Sequence, residues 1–273
     1  MKKLTGITAL VLACACLTAC GGNSASSSKY STDEILSANS YDVTKYVKLC
    51  SLKNIKITVT GDYSVTDTKV DEYIDSILSS KAKKTTASKL TDNYVKRYLG
   101  YDSVKKYKAA VKANIASSMK RQKVQATSST LISYLKEHSK VKVPSGYLKE
   151  LAQSDFDTHK QLAKDYKMSF KKYISTYYNQ SSESAFLKYL ESSEENTAKE
   201  NLVCQALIKK NGTVVTKKEL NNFVKQYAKS SNTTAKKFYK KYGGKKKVIL
   251  SYAQNKAVVA LSHKVKVTYK ATV

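Results

Sequence analysis

In this 273-residue chain, the residue whose type and setting most plainly imply chemistry is Cys20, at the end of Leu17-Thr18-Ala19-Cys20. A small residue before a cut leaves room for a peptidase, and a free thiol just after it can receive a diacylglycerol group. That is the lipobox read by lipoprotein signal peptidase. Cys14 and Cys16 lie in the same run, so an ordinary signal peptide that contains cysteines is the alternative. The expectation is a mature chain that starts at Cys20 and is held by lipid on the outer face of the cell membrane.

The remaining reactive side chains form no such constellation. His138, His159 and His263 are scattered, and no His-Glu-x-x-His, Gly-x-Ser-x-Gly or phosphate-cradling glycine loop occurs. Asp155 with Asp157, and Glu194 with Glu195, are acidic pairs on amphipathic stretches and read as solvated faces. With Cys14 and Cys16 removed and Cys20 acylated, Cys50 and Cys204 are the thiols left. Outside the cell they could form a disulfide, or they could stand as two separate buried thiols. No CxxC or Cys/His cluster is present, so the chain is expected to be no enzyme and to use no metal or cofactor.

Around Cys20 the segments fall into a simple order. Lys2 and Lys3 precede an apolar run from Leu4 to Leu17, which is too short for a mature span and the right size for a secretory signal, residues 1–19. Gly21 to Ser28 has no apolar periodicity, and a flexible tether is expected over residues 20–40. The folded domain is expected over 41–273. The chain carries 49 Lys+Arg and 21 Asp+Glu; loss of Lys2 and Lys3 leaves 47 − 21 = +26 for the mature form. Such a charge calls for an anionic partner or a solvated surface suited to an anionic envelope. With no nucleic-acid motif in an exported chain, anionic lipids or cell-wall polymers are the candidates, and nucleic acid is not.

One Pro and nine Gly argue against a loop-rich or all-β fold, and with no Trp the 21 Tyr supply most of the aromatic area. Residues 53–60 alternate as a half-buried strand through Ile55, Ile57 and Val59, and 264–270 alternates through Val265 and Val267; the two could pair. Between them the apolar residues recur every three or four positions. Val104, Tyr107, Val111, Ile115 and Met119 share one helix face, and Leu131, Ile132 and Leu135 carry it on. Val65-Thr66, Val143-Pro144 and Val215-Thr216 each open a helix in the same way, with Thr216 and Glu219 spaced as a capping box. Ser169 is a candidate cap, and Asn179, Gly212 and Gly243-Gly244 are stops.

The stretch from Leu90 to Pro144 resembles the start of the C-terminal domain of trigger factor, the bacterial folding chaperone. In that family a Leu-Thr-x-x-aromatic-aliphatic-Lys-Arg opening, a short turn and a long basic helix lead to a Val-x-Val-Pro step. Here these are Leu90-Thr91-Asp92-Asn93-Tyr94-Val95-Lys96-Arg97, Gly100 to Ser103, the helix from Val104, and Val141-Lys142-Val143-Pro144. The resemblance runs from about Tyr41 to the end and is strongest over 90–149 and 167–211. Where the family carries its FKBP-type prolyl isomerase domain, this chain has only Lys81 to Lys89. The ribosome-docking Gly-Phe-Arg-x-Gly-Lys loop is also missing, so no ribosome partner is expected.

The resemblance implies a mainly α fold, an extended assembly of helical arms, and a chaperone that holds unfolded or newly exported polypeptides without catalysis. The candidate client-binding residues are Leu148, Leu151, Phe156, Tyr166, Met168, Phe170, Tyr173, Tyr177 and Tyr178. An exported prolyl isomerase and a lipoprotein that captures solutes or envelope polymers are the alternative functions.

Overall fold

Side-chain caps start most of the helices in the computed structural model, which describes residues 28–80 and 85–271. The expected signal segment, residues 20–27 of the expected tether with Cys20, and Lys81 to Lys84 of the linker lie outside the described residues. The Thr91 hydroxyl accepts the Tyr94 N–H and opens Asp92–Leu99 (α3); Ser169 accepts from Lys172 and opens Phe170–Tyr178 (α6). Ser182 accepts from Ala185 at the head of Glu183–Asn211 (α7), and Thr216 from Glu219 at the head of Lys217–Ser230 (α8). Each bond satisfies one of the amide donors that a helix start leaves orphaned. Gly100, Asn179 and Gly212 close α3, α6 and α7 in the left-handed conformation at φ 76°, 54° and 59°, which leaves their carbonyls capped and turns the chain.

The other helices are Thr32–Leu36 (α1), Asp67–Ser80 (α2), Val104–His138 (α4), Ser145–Asp165 (α5), Ala235–Lys241 (α9) and Lys245–Ser262 (α10). The expected apolar faces at 104–119 and 131–135 thus belong to one helix of 35 residues. The fold is mainly helical with short strands, as expected. The strands are Lys29–Tyr30 (β1), Val47–Lys48 (β2), Lys56–Thr60 (β3), Lys140–Val141 (β4), Val215–Thr216 (β5) and Lys266–Lys270 (β6), paired β1 with β5, β2 with β4, and β3 with β6. The Lys266 N–H donates to the Ile55 carbonyl and the Gly61 N–H to the Lys270 carbonyl, both at 2.9 Å. Residue numbers therefore rise together along β3 and β6, which makes that pair parallel.

The chain separates into two compact units. One comprises Thr58–Thr127 and the described residues from Thr268. Its core takes Val70, Ile74 and Leu78 from α2, Val95 from α3, and Tyr107, Val111 and Ile115 from α4. The four-residue spacing within α2 and within α4 is what brings each set onto one face.

The larger unit spans the described residues to Ile57 and Ser128–Val267. In it α7 packs against α5 and against α10. The last helix is buried nearly all round, from Val248 through Asn255 and again at Ala257, Val258 and Leu261, as a helix enclosed by others must be. Two of its polar side chains reach across to neighbours: Gln254 donates to the Asn201 carbonyl at 3.2 Å, and the Lys256 ammonium meets Glu219 at 2.6 Å. That ion pair takes the Glu219 side chain, so of the expected capping box the Thr216 half is what forms.

Folded structure begins before the expected residue 41. Lys29 and Tyr30 pair with Thr216 and Val215, Ser31 and Glu34 form a capping box for α1, and Ile35 is buried. Ile35 is the apolar anchor in a polar stretch, and its burial favours docking of the segment.

Candidate functional site

The face of α6 is built by spacing. Phe170, Tyr173, Tyr177 and Tyr178 fall at i, i+3, i+7 and i+8, one side of a helix. The chain enters α6 through Lys167, held left-handed at φ 55°, which lets the Met168 N–H reach back to the Ala163 carbonyl at 2.9 Å. That turn lays α6 on α5. There Phe156 meets Phe170 edge-on at 5.1 Å, and Phe186 of α7 closes on Phe170 at 5.9 Å and Tyr178 at 5.0 Å. Edge-to-face and tilted contacts of this kind add about 0.5–1.5 kcal/mol each beyond the area they bury.

The rings grade from core to surface. Phe186 and Tyr173 are buried, at 0% and 4% exposed, and Phe156 is buried with them. Tyr166, Tyr177 and Tyr189 stand 60%, 47% and 43% exposed, yet each rests on an inner ring. Tyr166 stacks on Tyr173 at 6.2 Å, Tyr177 lies 5.1 Å from Tyr173, and Tyr189 stacks on Phe186 at 6.1 Å. The Lys160 ammonium sits 4.8 Å from the Phe156 ring and 5.4 Å from the Phe170 ring, a cation–π contact. Beneath them, His159 Nδ1 lies 3.1 Å from the Tyr173 hydroxyl and 3.4 Å from that of Tyr178. Burial lowers the His159 pKa, partly opposed by the charge of Asp155.

Of the nine residues singled out from the sequence, Phe156, Tyr166, Met168, Phe170, Tyr173, Tyr177 and Tyr178 come together here. Leu148 and Leu151 are half-buried at the start of α5, and Leu151 lines a separate small cavity. His159, Phe186 and Tyr189 complete the cluster and were not among the nine. The pair Phe186 and Tyr189, three apart on α7, was the available signal.

That cavity, of about 60 Å³, is walled by polar groups of α5, α7 and α10. Asp155 and Glu194 share a hydrogen bond across it. Burial, then the charge of Asp155, then the shared bond push Glu194 up to about 7. The volume is well under the roughly 300–1,000 Å³ of ordinary ligand sites. Beside it Gln205 Oε1 accepts from the Tyr41 hydroxyl at 2.9 Å and from the Asn39 amide at 3.1 Å.

The two cysteines among the described residues are free thiols. Cys50 is half-buried, and Cys204 is buried on α7, where desolvation with the nearby Glu200 charge pushes its pKa up to about 12. No group of three metal-binding side chains occurs among the described residues, and no described helix is long and apolar enough to cross a membrane.

What remains is a helical framework that presents aromatic rings to solvent over a buried aromatic bed, the surface of a binding module. The chain belongs to the family of the bacterial trigger factor C-terminus, whose family model matches residues 103–263. This is the chaperone part of trigger factor, not its isomerase domain, and it implies binding of unfolded polypeptides. The match begins at Ser103, after the Leu90–Gly100 opening on which the resemblance first drew. No curated protein matches the chain.

Proposed function

We propose that this protein is an exported, lipid-anchored chaperone that holds unfolded polypeptides outside the cytoplasmic membrane without catalysing a covalent or isomerisation step. The observation that carries the reading is the row of exposed rings, Tyr166, Tyr177 and Tyr189, seated on buried rings of α5, α6 and α7. Solvent-facing aromatic area normally collapses into a core; here the inner rings hold it rigidly at the surface. A client side chain laid across it buries apolar area at about 25 cal/mol per Å². The entropy of association offsets much of that, so holding is transient and release needs no cofactor. Phe156 and Tyr173 serve as the bed, while Tyr166, Tyr177, Phe170 and Met168 offer the contact.

The family supplies the chaperone class, and the lipobox supports the place of action. Diacylglycerol on Cys20 and removal of residues 1–19 leave the folded chain tied to the bilayer, where newly exported polypeptides emerge unfolded. A photo-cross-linking residue at Tyr177 tests the site: it should capture unfolded exported chains, whereas the same probe at Tyr98, exposed in the other unit, should capture far fewer. Equal capture at both positions would remove the ring cluster as the site.

A further inference from the structure

The most strongly charged stretch lies apart from the ring cluster. From Lys217 to Lys247 the chain carries eleven lysines and one acid, Glu219. Among the described residues Lys247 alone of the eleven is in an ion pair, with Glu150, and Glu219 is taken by Lys256. The other ten lysines are exposed. They ride on a lobe of three successive helices with an aromatic centre. Phe238 of α9 is buried against Phe223 and Tyr227 of α8 at 6.0 and 4.9 Å, and the hydroxyls of Tyr227 and Tyr242 meet at 2.8 Å. With Phe238 turned inward, Lys236, Lys237, Lys240 and Lys241 occupy the opposite arc of α9, because positions i, i+1, i+4 and i+5 share one side of a helix.

The described chain begins at this lobe. Ser28 accepts a hydrogen bond from the Lys217 N–H at 3.0 Å, β1 pairs with β5 at the head of α8, and the Lys245 ammonium lies 5.8 Å from the Tyr30 ring. Eight residue steps separate Ser28 from Cys20, a reach of at most about 29 Å in any conformation. A lipid on Cys20 therefore keeps the head of the α8–α10 lobe close to the headgroups.

We propose that this lysine lobe docks onto anionic lipid headgroups beside the anchor. The inference rests on the lipid anchor at Cys20. Short tethering raises the local concentration of the lobe at the surface, and each lysine near an anionic leaflet adds about a fivefold gain in partition. Docking uses no residue of the ring cluster, so a docked chain still offers Tyr166, Tyr177 and Tyr189 to clients.

The test uses the mature chain with Cys20→Ala, so that no acyl chain contributes, and co-sedimentation with vesicles. Vesicles of phosphatidylglycerol with phosphatidylcholine should retain it at low salt, and phosphatidylcholine alone should not. Lys236→Gln, Lys237→Gln, Lys240→Gln and Lys241→Gln together should weaken retention about a hundredfold or more. A control lacking four charges of the other unit, Lys96→Gln, Lys105→Gln, Lys120→Gln and Arg121→Gln, should change it far less. Equal losses in the two variants would show that net charge and not the lobe is read. No retention by the parent, or retention by a soluble glycerol-phosphate polymer but not by the vesicles, would overturn lipid docking. Because this assay contains no lipid anchor, its failure leaves the anchor itself to be judged by membrane fractionation.

Discussion

Tyr166, at the end of α5, lies face to face with Tyr173 of α6, their planes 19° apart and their centroids 6.2 Å apart. One ring is 60% exposed and the other 4%, so the outer ring borrows its position from the inner one. Their substitutions should separate. Tyr173→Ser opens a void among Phe170, Tyr177 and Tyr178 and leaves His159 Nδ1 without its nearest hydroxyl, and a loss of about 3 kcal/mol is expected. Tyr166→Ser should stay within about 0.5 kcal/mol of the parent. Urea unfolding followed by far-UV circular dichroism reads both, and equal losses would contradict the graded cluster.

Glu194 sets a pH dependence. Its folded pKa of about 7 lies above the ordinary 4.5, so between those values the native state keeps a proton that the unfolded chain has released. Stability from this group is thus highest at acid pH, declines as pH rises from about 4.5 to 7, and is level above that. The side chain is half-buried, and after allowance for screening the change is about 1 kcal/mol. Glu194→Gln should flatten the slope and stabilise the protein at pH 8 while changing little at pH 4.5. An unchanged slope in that variant would locate the titration elsewhere.

The thiols offer a count. In the mature chain with Cys20→Ala, a thiol-specific reagent should label Cys50 in the native state, because it is only half-buried, and leave Cys204 unmodified until the protein unfolds. A native protein with no reactive thiol, recovering both on reduction, would mean that the two are joined.

Much of the helical framework was legible because its signals are local. Ser169 and Thr216 cap where their spacing says they should, and Gly100, Asn179 and Gly212 stop helices by taking a left-handed φ that few residues accept. The α6 stripe was equally legible. Contacts between residues far apart in sequence were not. Asp155 and Glu194 each read as part of a solvated acidic pair within its own helix, and only the packing of α5 on α7 turns them toward each other. Glu219 has the spacing of a capping box, yet Lys256, 37 residues on, draws its carboxylate away. β1 is two residues in a polar stretch, too short to carry an alternating pattern, and it exists because β5 is there to pair with it.

The chain should not speed a proline-limited refolding step. Lowering a barrier of roughly 20 kcal/mol requires an enclosing pocket that twists the peptide bond, and the rings of α5–α7 form an open face. Refolding of a client with a slow prolyl phase should show the same rate constant with and without the protein. A concentration-dependent increase would bring back the isomerase alternative.

Membrane attachment has its own readout. Cys20→Ala should leave the precursor uncut or release the protein from the membrane fraction, since the proposed anchor needs that thiol as its lipid acceptor. Normal processing with unchanged membrane partition would rule out the anchor.

The central claim is that the exposed rings hold clients, and light scattering from a denatured client tests it most directly. The mature parent should suppress aggregation at a near-stoichiometric ratio, and Tyr166→Ser with Tyr177→Ser and Tyr189→Ser should lose most of that suppression while keeping the parent's helicity and unfolding midpoint. Full suppression by a correctly folded triple variant would contradict the account and move the client site off the ring cluster.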